Sequence, residues 1–204
     1  MKKNFIFSLL AVFAIGFAAF TFSACSSDDD DNNDNKETVA NPETPADGSK
    51  ILVAYFSWGG NTRAVANRIA QLTGGTLYEI QPATPYTTDY NELAYTVARN
   101  ELDTDARPAL KETDADFSEY DYVFLGCPVW WQTAPMIMST FCETYDFKGK
   151  TIIPFCTYAS TGRDATLQKL SSLTSTASHL TGYGTSGSNT NGVESWLKTI
   201  NMIK

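Results

Sequence analysis

The feature that most constrains the fold is a regular alternation of strand-like and helix-like segments from residue 49 onward. A continuous apolar run at 51–56 has the length and composition of a strand buried on both faces. Apolar residues at helical spacing follow at 64–72, and Gly74 and Gly75 end that segment. The pattern continues with predicted strands at 76–80, 122–127, 151–156 and, weakly, 178–182, and with predicted helices at 92–102, 134–145, 163–172 and 193–201.

This alternation predicts an α/β domain built on a doubly wound parallel sheet. Parallel strands joined by helices form right-handed crossovers, which put helices on both faces of the sheet. In such sheets ligands bind beyond the carboxyl ends of the strands, near the point where the strand order reverses. The loops that follow residues 56, 127 and 156 are therefore the predicted functional loops.

Length and charge limit the alternatives. The chain has 204 residues and 43% hydrophobic content, which suits one folded domain with a tail rather than two domains. Aromatic residues make up 13% of it, which is enough to build a core. The formal net charge of -8 repels a phosphate backbone, so the sequence predicts no nucleic-acid partner.

Residues 1–24 are predicted to be an export signal. Two lysines precede an apolar run at 5–22, and the sequence FSAC at 22–25 resembles the lipobox of bacterial lipoproteins. The resemblance implies that Cys25 becomes the lipid-modified first residue of the mature protein. The alternative is an uncleaved membrane anchor, since about 20 apolar residues can span a bilayer. Both interpretations attach the rest of the chain to the cell envelope outside the cytoplasm, at the periplasmic face or the cell surface.

Residues 25–48 are predicted to be a disordered acidic tether that leads to a folded domain at 49–204. The stretch holds eight acidic residues and one lysine, with little apolar surface to bury. Most of the excess negative charge therefore lies outside the domain. A simple solvated spacer is one interpretation. The other is an address, because aspartates directly after a lipid-bearing cysteine resemble the surface-export signals of Bacteroidetes lipoproteins.

The first predicted functional loop reads SWGGNT at 57–62. Its two glycines allow close backbone approach, its polar side chains donate hydrogen bonds, and a helix begins next to it, which suits a phosphate bound by N–H groups. The loop lacks the lysine of a Walker motif and does not fit G-x-G-x-x-G, which argues against nucleoside triphosphatases and nicotinamide enzymes. The alternative is a tight strand-to-helix turn that binds nothing.

The second and third loops carry aromatic and hydroxyl groups. The second reads PVWWQTAP at 128–135, and an adjacent pair of partly exposed tryptophans typically contacts a flat ligand. The alternative is a tryptophan lid packed on the domain's own surface. The third loop, TYASTG at 157–162, offers hydroxyls and backbone amides for the polar edge of a heterocycle.

Three segments in these positions resemble the flavodoxin family. ILVAYFSWGGNTRAVA at 51–66 is similar to the first strand and FMN-phosphate loop, and GCPVWWQTAP at 126–135 to the loop flanking the isoalloxazine ring. YDFKGKTIIPFCT at 145–157 is similar to the approach to the third loop. The resemblance covers nearly all of 50–200 with its motifs in family order. It implies a flavodoxin-like five-stranded sheet of order 2-1-3-4-5 and noncovalently bound FMN.

The resemblance also implies roles for individual residues. Ser57, Asn61 and Thr62 match contacts to the phosphate, while Gly59 stands where many flavodoxins have threonine. Gln132 stands where relatives often carry glycine. The residues expected to bind the cofactor are Ser57, Trp58, Gly59, Gly60, Asn61, Thr62, Pro128, Val129, Trp130, Trp131, Thr157, Tyr158, Thr161 and Gly162.

Other reactive groups have structural interpretations. His179 is the only histidine and favours a structural or surface role, so neither a catalytic triad nor a metal site is predicted. A disulfide between Cys127 and Cys156 is allowed outside the cytoplasm, but buried free thiols are favoured. Arg63 either reaches the phosphate or faces solvent.

The sequence thus predicts a lipid-anchored, FMN-binding protein that transfers electrons to and from a redox partner protein or a small acceptor. One alternative is an FMN-dependent reductase of quinones or other small acceptors. Another is a non-catalytic surface lipoprotein that captures flavin. The membrane is expected to be a partner only through the lipid anchor.

Overall fold

The computed structural model describes residue 45 and residues 48–204. The predicted signal at 1–24, the predicted lipid site Cys25 and nearly all of the tether lie outside the described residues. Within the part that is described, no helix combines the length and the apolar character needed to cross a membrane. The strands are β1 Ile51–Tyr55, β2 Thr76–Glu79, β3 Tyr122–Pro128, β4 Thr151–Tyr158, β5 Ser178–His179 and β6 Tyr183–Ser186.

These strands form one parallel sheet in the order β2-β1-β3-β4-β5, which confirms the predicted doubly wound topology. The prediction of a single strand at 178–182 is wrong in its extent. Two short strands share the place beside β4: β5 pairs with its start, and β6 pairs in parallel with its end. The sheet therefore has six strands rather than five.

Pro154 explains the break between β5 and β6. The carbonyl of Ile152 accepts a hydrogen bond from the N–H of Leu180 at 3.0 Å, so Ile152 presents its backbone groups to the β5 side. Pro154, two residues on, faces the same side but has no N–H to donate. The chain passes this point at Gly182, where a Cβ would lie 2.8 Å from the Pro154 carbonyl oxygen. Pairing resumes only beyond it.

Helices cover both faces of the sheet, as predicted. Alternate strand residues point to opposite faces, so Leu52 and Ala54 belong to one buried cluster and Val53 and Tyr55 to the other. The first cluster packs against the fourth and fifth helices and the second against the first and sixth. The helices are α1 Asn61–Thr73, α2 Tyr90–Glu92, α3 Ala98–Asp103, α4 Met136–Thr144, α5 Arg163–Leu173 and α6 Val193–Thr199.

The helix predicted at 92–102 is a composite. A π-helical turn, Leu93–Val97, joins α2 to α3, and we call the whole stretch the 90–103 helix. Asp89 caps its start, because its side chain accepts a hydrogen bond from the N–H of Glu92 at 2.8 Å. Turns of π-helix inside α-helices are rare and often lie at functional sites.

The cysteines of the described region are free thiols. Cys127 and Cys156 are register partners on β3 and β4, and both are buried. Burial raises the pKa of the Cys156 thiol to about 12, which keeps it protonated at neutral pH. His179 lies exposed on the edge strand β5 with its Nε2 3.0 Å from the Thr174 hydroxyl, in agreement with the predicted structural or surface role.

Candidate functional site

The three predicted loops surround one cavity of about 660 Å³ at the carboxyl edge of the sheet. This volume is in the range of pockets that hold small ligands, which run from about 300 to 1,000 Å³. The cavity is lined by most of the residues that the sequence predicts to bind the cofactor: Ser57, Trp58, Gly59, Asn61, Thr62, Pro128, Val129, Trp130, Trp131, Thr157 and Tyr158.

Gly60, Thr161 and Gly162 were also nominated but do not line the cavity; they shape the loops around it. Gly60 precedes α1 with φ of 88°, a left-handed conformation that glycine adopts without strain. Gly162 lies behind the second loop, where a Cβ would be 2.6 Å from Cγ1 of Val129. The Thr161 hydroxyl accepts a hydrogen bond from Nε2 of Gln132 at 2.8 Å.

The first loop presents hydrogen-bond donors at the start of α1. The N–H of Arg63 donates to Oγ of Ser57 at 3.2 Å, which leaves the serine's own proton available to the cavity. The hydroxyls of Thr62 and Thr157, both buried, lie 2.8 Å apart, and only one of them donates to the other. Among the hydrogen bonds of the described residues, none uses the N–H of Asn61 or Thr62 as donor. The loop therefore holds several free donors.

The charge of this loop also favours an anion. A 13-residue helix carries a partial positive charge at its N-terminus, and α1 has no acidic residue in its first turn. Arg63 does not add a cation to the loop, because its guanidinium pairs with the carboxylate of Glu79 at the end of β2. That carboxylate raises the pKa of Arg63 above its usual value. Backbone N–H groups and hydroxyls, rather than a cationic side chain, thus supply the attraction for an anion at this loop.

The second loop is a tight hairpin with strained backbone at its tip. The N–H of Trp130 donates to the carbonyl of Thr133 at 2.9 Å, and the N–H of Thr133 donates back at 3.0 Å. Trp131 and Gln132 form the tip with φ of 49° and 66°, the left-handed conformation that favours glycine and asparagine. Strain of this kind persists where surrounding contacts enforce it, as they do at functional sites.

The two tryptophans occupy different environments. Trp130 packs edge-on against Phe56 and Tyr86, with ring centroids 5.4 and 5.3 Å apart, so it is part of the support beneath the loop. Trp131 is 40% exposed, and its Nε1 donates to the carbonyl of Ala94 at 2.7 Å. The interpretation as a lid packed on the domain's own surface thus describes Trp130 in part, while Trp131 stands at the cavity mouth.

Two contributors to the cavity have no counterpart among the sequence-predicted site residues. The 90–103 helix forms one wall, and the turn after β6 closes another side. In the sequence, the available signal for the helical wall was its tyrosines, Tyr90 and Tyr95. The wall after β6 follows from the pairing of β6 with β4, because this pairing brings the end of β6 beside the third loop. The residues concerned are Tyr90, Leu93, Ala94, Tyr95 and Ala98 on the helix and Ser186 and Gly187 at the end of β6. Gln132 in the second loop and Ala159 in the third loop also line the cavity.

Comparison with known proteins agrees with this geometry. The family model described as Flavodoxin matches residues 50–200. A candidate flavoprotein from Bacteroides uniformis is 37% identical, with 74% of this chain and 99% of that chain covered and a TM-score of 0.68. A second, from Bacteroides eggerthii, is 35% identical, with 76% and 99% covered and a TM-score of 0.68.

More distant structures share the fold. A flavoprotein from Lactobacillus acidophilus, solved in complex with FMN, is 19% identical, with 72% of this chain and 98% of that chain covered and a TM-score of 0.60. No curated protein matches the sequence. The family match over residues 50–200 and the 37% identity across nearly all of a solved relative show that this chain belongs to the flavodoxin family.

Proposed function

We propose that this protein binds FMN noncovalently in the carboxyl-edge cavity and passes electrons between redox partners. The observation that carries the proposal is that the cavity lining combines two kinds of group. The first loop offers hydroxyls and free N–H groups at a helix N-terminus, and tryptophan and tyrosine side chains supply aromatic surface in the same cavity. FMN has the matching halves, a phosphate and a planar ring. The Lactobacillus acidophilus relative, which holds FMN on the same fold, supports it.

The residues present fit this cofactor. Ser57, Asn61 and Thr62 would hold the phosphate together with the loop N–H groups, and a Cβ at Gly59 would meet nothing within 4 Å, so the loop is open there. Trp130 and Trp131 would flank the ring, with Thr157 and Tyr158 at its polar edge. When bound, FMN supplies the redox chemistry, and the chain's part is to orient the ring and limit its contact with water.

A direct test compares FMN with riboflavin, which lacks only the phosphate. Each charge-assisted hydrogen bond to the phosphate contributes roughly 1.5–3 kcal/mol, so FMN is expected to bind at least about 10-fold more tightly. Flavin fluorescence during titration of flavin-free protein measures both affinities. Equal affinities for FMN and riboflavin would contradict the assignment of the phosphate site and, with it, the proposed function.

An FMN-dependent reductase of small acceptors is the second candidate. The exposed aromatic wall on the 90–103 helix favours it, because that wall borders the cavity from which the ring of a bound flavin would be reached. Steady-state turnover with a small acceptor and no partner protein would favour the reductase. A flavin-capturing protein would instead release oxidised flavin reversibly, and its function would not require reduction of the flavin.

We propose in addition that the mature protein is anchored through Cys25 to the cell envelope, which rests on the sequence alone. Cys25→Ser is expected to abolish incorporation of labelled fatty acid and to leave the signal uncleaved, since the modified cysteine is the cleavage point. Fatty-acid labelling and intact mass measure the two effects. Ser26→Ala, at the next position, is the control that keeps both. Unchanged labelling of Cys25→Ser would contradict the anchoring site.

A further inference from the structure

We propose that the outer edge of β2 binds an extended, lysine- or arginine-bearing segment of another protein, which adds to the sheet as a further strand. We call this surface the β2 edge; it consists of the outward backbone groups of Leu77 and Glu79 and the cavity beside them. The inference goes beyond the proposed function, because the cavity at the β2 edge shares no lining residue with the flavin cavity.

The first observation is that the outward backbone groups of β2 are unpaired. Within the described residues, β2 lies at the end of the strand order and pairs with β1. The N–H of Ile80 donates to the β1 carbonyl of Tyr55 at 2.8 Å, so Leu77 and Glu79, at odd spacing from Ile80, face outward. No hydrogen bond of the described residues uses the N–H of either one. Such an edge is a template for another strand.

The second observation is that the chain covers only the far end of this edge. A segment at 109–111 runs antiparallel to 81–83, and the N–H of Lys111 donates to the carbonyl of Gln81 at 2.9 Å. The segment leaves the edge after Lys111, so the β2 residues before Gln81 stay uncovered. An added strand would continue the same row of hydrogen bonds along β2.

The third observation concerns side chains. A cavity of about 390 Å³ lies between β2 and the departing segment, with apolar surface from the buried Leu110 and Phe141 and the carboxylate of Glu112 in its lining. A residue paired opposite Tyr78 would share the face of Tyr78, which lines this cavity. Leu77 points to the other face and is 44% exposed. A strand that alternates basic and apolar residues fits both faces, because a lysine stem packs on apolar surface while its ammonium reaches a carboxylate.

The fourth observation is the negative charge beside the edge. Residues 111–121 hold five acidic side chains and one lysine. Among the ion pairs of the described residues, only Glu119 of these five takes part, with Lys50. Phe117 packs edge to face on Tyr78 at a centroid distance of 4.9 Å, which holds this acidic stretch against β2. The surroundings of the β2 edge therefore favour a basic partner.

This charge selects among the possible occupants. A second copy paired through its own β2 would bring two acidic stretches together. The predicted tether of the same chain, at 25–48, holds eight acidic residues and one lysine and would be repelled as well. Like charges across a contact are unfavourable, and opposite charges favour association. The occupant that matches is a basic strand of another protein.

The test is a hydrogen-exchange measurement by nuclear magnetic resonance on FMN-loaded, full-length protein with two matched heptapeptides, each blocked at both ends. In one, lysine and valine alternate; in the other, glutamate replaces every lysine. We expect the saturating lysine peptide to slow exchange of the Leu77 and Glu79 amides at least about 10-fold, because these amides become hydrogen-bonded. The glutamate peptide at the same concentration should leave both rates within about twofold.

Three outcomes would overturn the inference. They are equal protection by the two peptides, no protection by the lysine peptide, and protection without peptide that rises with protein concentration, which would assign the edge to a second copy. FMN affinity should not change when the lysine peptide binds, so failure to bind FMN would refute the proposed function and leave the β2 edge to be judged by the exchange rates.

One variant tests the charge. Glu112→Gln is expected to weaken binding of the lysine peptide about 2- to 5-fold, the size of one exposed ion pair, and to leave the glutamate peptide no weaker. Glu194→Gln, which removes the same charge from an exposed position on α6, is the control and should leave the affinity unchanged. An equal effect of the two substitutions would show that the cavity at the β2 edge does not receive the basic side chain.

A second variant tests the backbone. Leu77→Pro removes the outward N–H but no hydrogen bond to β1, and proline is tolerated on edge strands where the N–H faces solvent. We expect the lysine peptide to bind at least about 10-fold more weakly, with FMN affinity within about twofold as the sign that the variant folds. Full peptide affinity in folded Leu77→Pro would overturn the inference, and if this variant does not fold, the comparison of Glu112→Gln with Glu194→Gln decides.

Discussion

Asn61→Asp is expected to lower FMN affinity about 30- to 1,000-fold while riboflavin affinity stays within about twofold. Asn61 is the first residue of α1 and lines the cavity at the end that offers free donors. The substitution changes an amide to a carboxylate of the same shape. At an effective dielectric of about 20, a carboxylate repels a phosphate charge about 5 Å away by about 3 kcal/mol. Flavin fluorescence titrations measure both affinities.

The same substitution is expected to stabilise the flavin-free protein. An acidic residue in the first turn of a helix interacts favourably with the helix dipole, worth about 0.3–1 kcal/mol, and α1 has none there. Affinity and stability should therefore move in opposite directions. Asn67→Asp is the matched control, since Asn67 is exposed on the same helix and does not line the cavity. Loss of riboflavin and FMN binding to the same degree would show that Asn61 does not lie at the phosphate.

Much of the fold was predictable because burial on both faces of a parallel sheet leaves a strong pattern. β1, β3 and β4 read as continuous apolar runs, and their central residues are fully buried. The edge was not predictable in the same way. Exposed strands such as β5 carry no apolar pattern, and the break beside Pro154 depends on which neighbour its backbone faces. That is a property of the assembled sheet.

The candidate site was likewise predictable only in part. The loops after β1, β3 and β4 follow from chain order, because the carboxyl ends of parallel strands share one edge. The contribution of the 90–103 helix depends on tertiary packing, since nothing local places Ala94 next to the indole of Trp131. Trp130 and Trp131 are adjacent in sequence but have different surroundings, because Trp131 lies at the hairpin tip and Trp130 precedes it. The left-handed backbone at Trp131 and Gln132 is a conformation that neither residue type prefers, so the sequence does not predict it.

The edge of the sheet away from the cavity contains a buried charge that the flavin proposal does not use. Lys150 directly precedes β4 and is only 9% exposed. Its ammonium donates to the carbonyls of Phe117 and Tyr120, both at 2.7 Å, and of Ser118 at 3.2 Å. These hydrogen bonds tie the turn that leads into β3 to the start of β4. Phe117 at that turn packs in the core, so the tie supports the amino edge of the sheet.

Lys150→Met is accordingly expected to lower the free energy of unfolding by about 2–4 kcal/mol. Methionine has similar length but no donor, so the backbone carbonyls lose their shared partner in a site that water reaches poorly. Relief from burying the ammonium offsets part of the loss, which keeps the expected value below the sum of the separate hydrogen bonds. Urea denaturation of the flavin-free protein measures the change.

Lys148→Met controls for the lost charge, because Lys148 is exposed two residues earlier in the same segment, and it should change stability by less than about 0.5 kcal/mol. FMN affinity should be unaffected in both variants, since Lys150 precedes β4 and the cavity lies beyond its other end. The effects of Lys150→Met and Asn61→Asp are thus separable: one lowers stability without changing cofactor affinity, and the other lowers affinity without lowering stability. Equal stability of the two lysine variants would mean that the carbonyls find other donors, and the ammonium would then have no role in holding the turn.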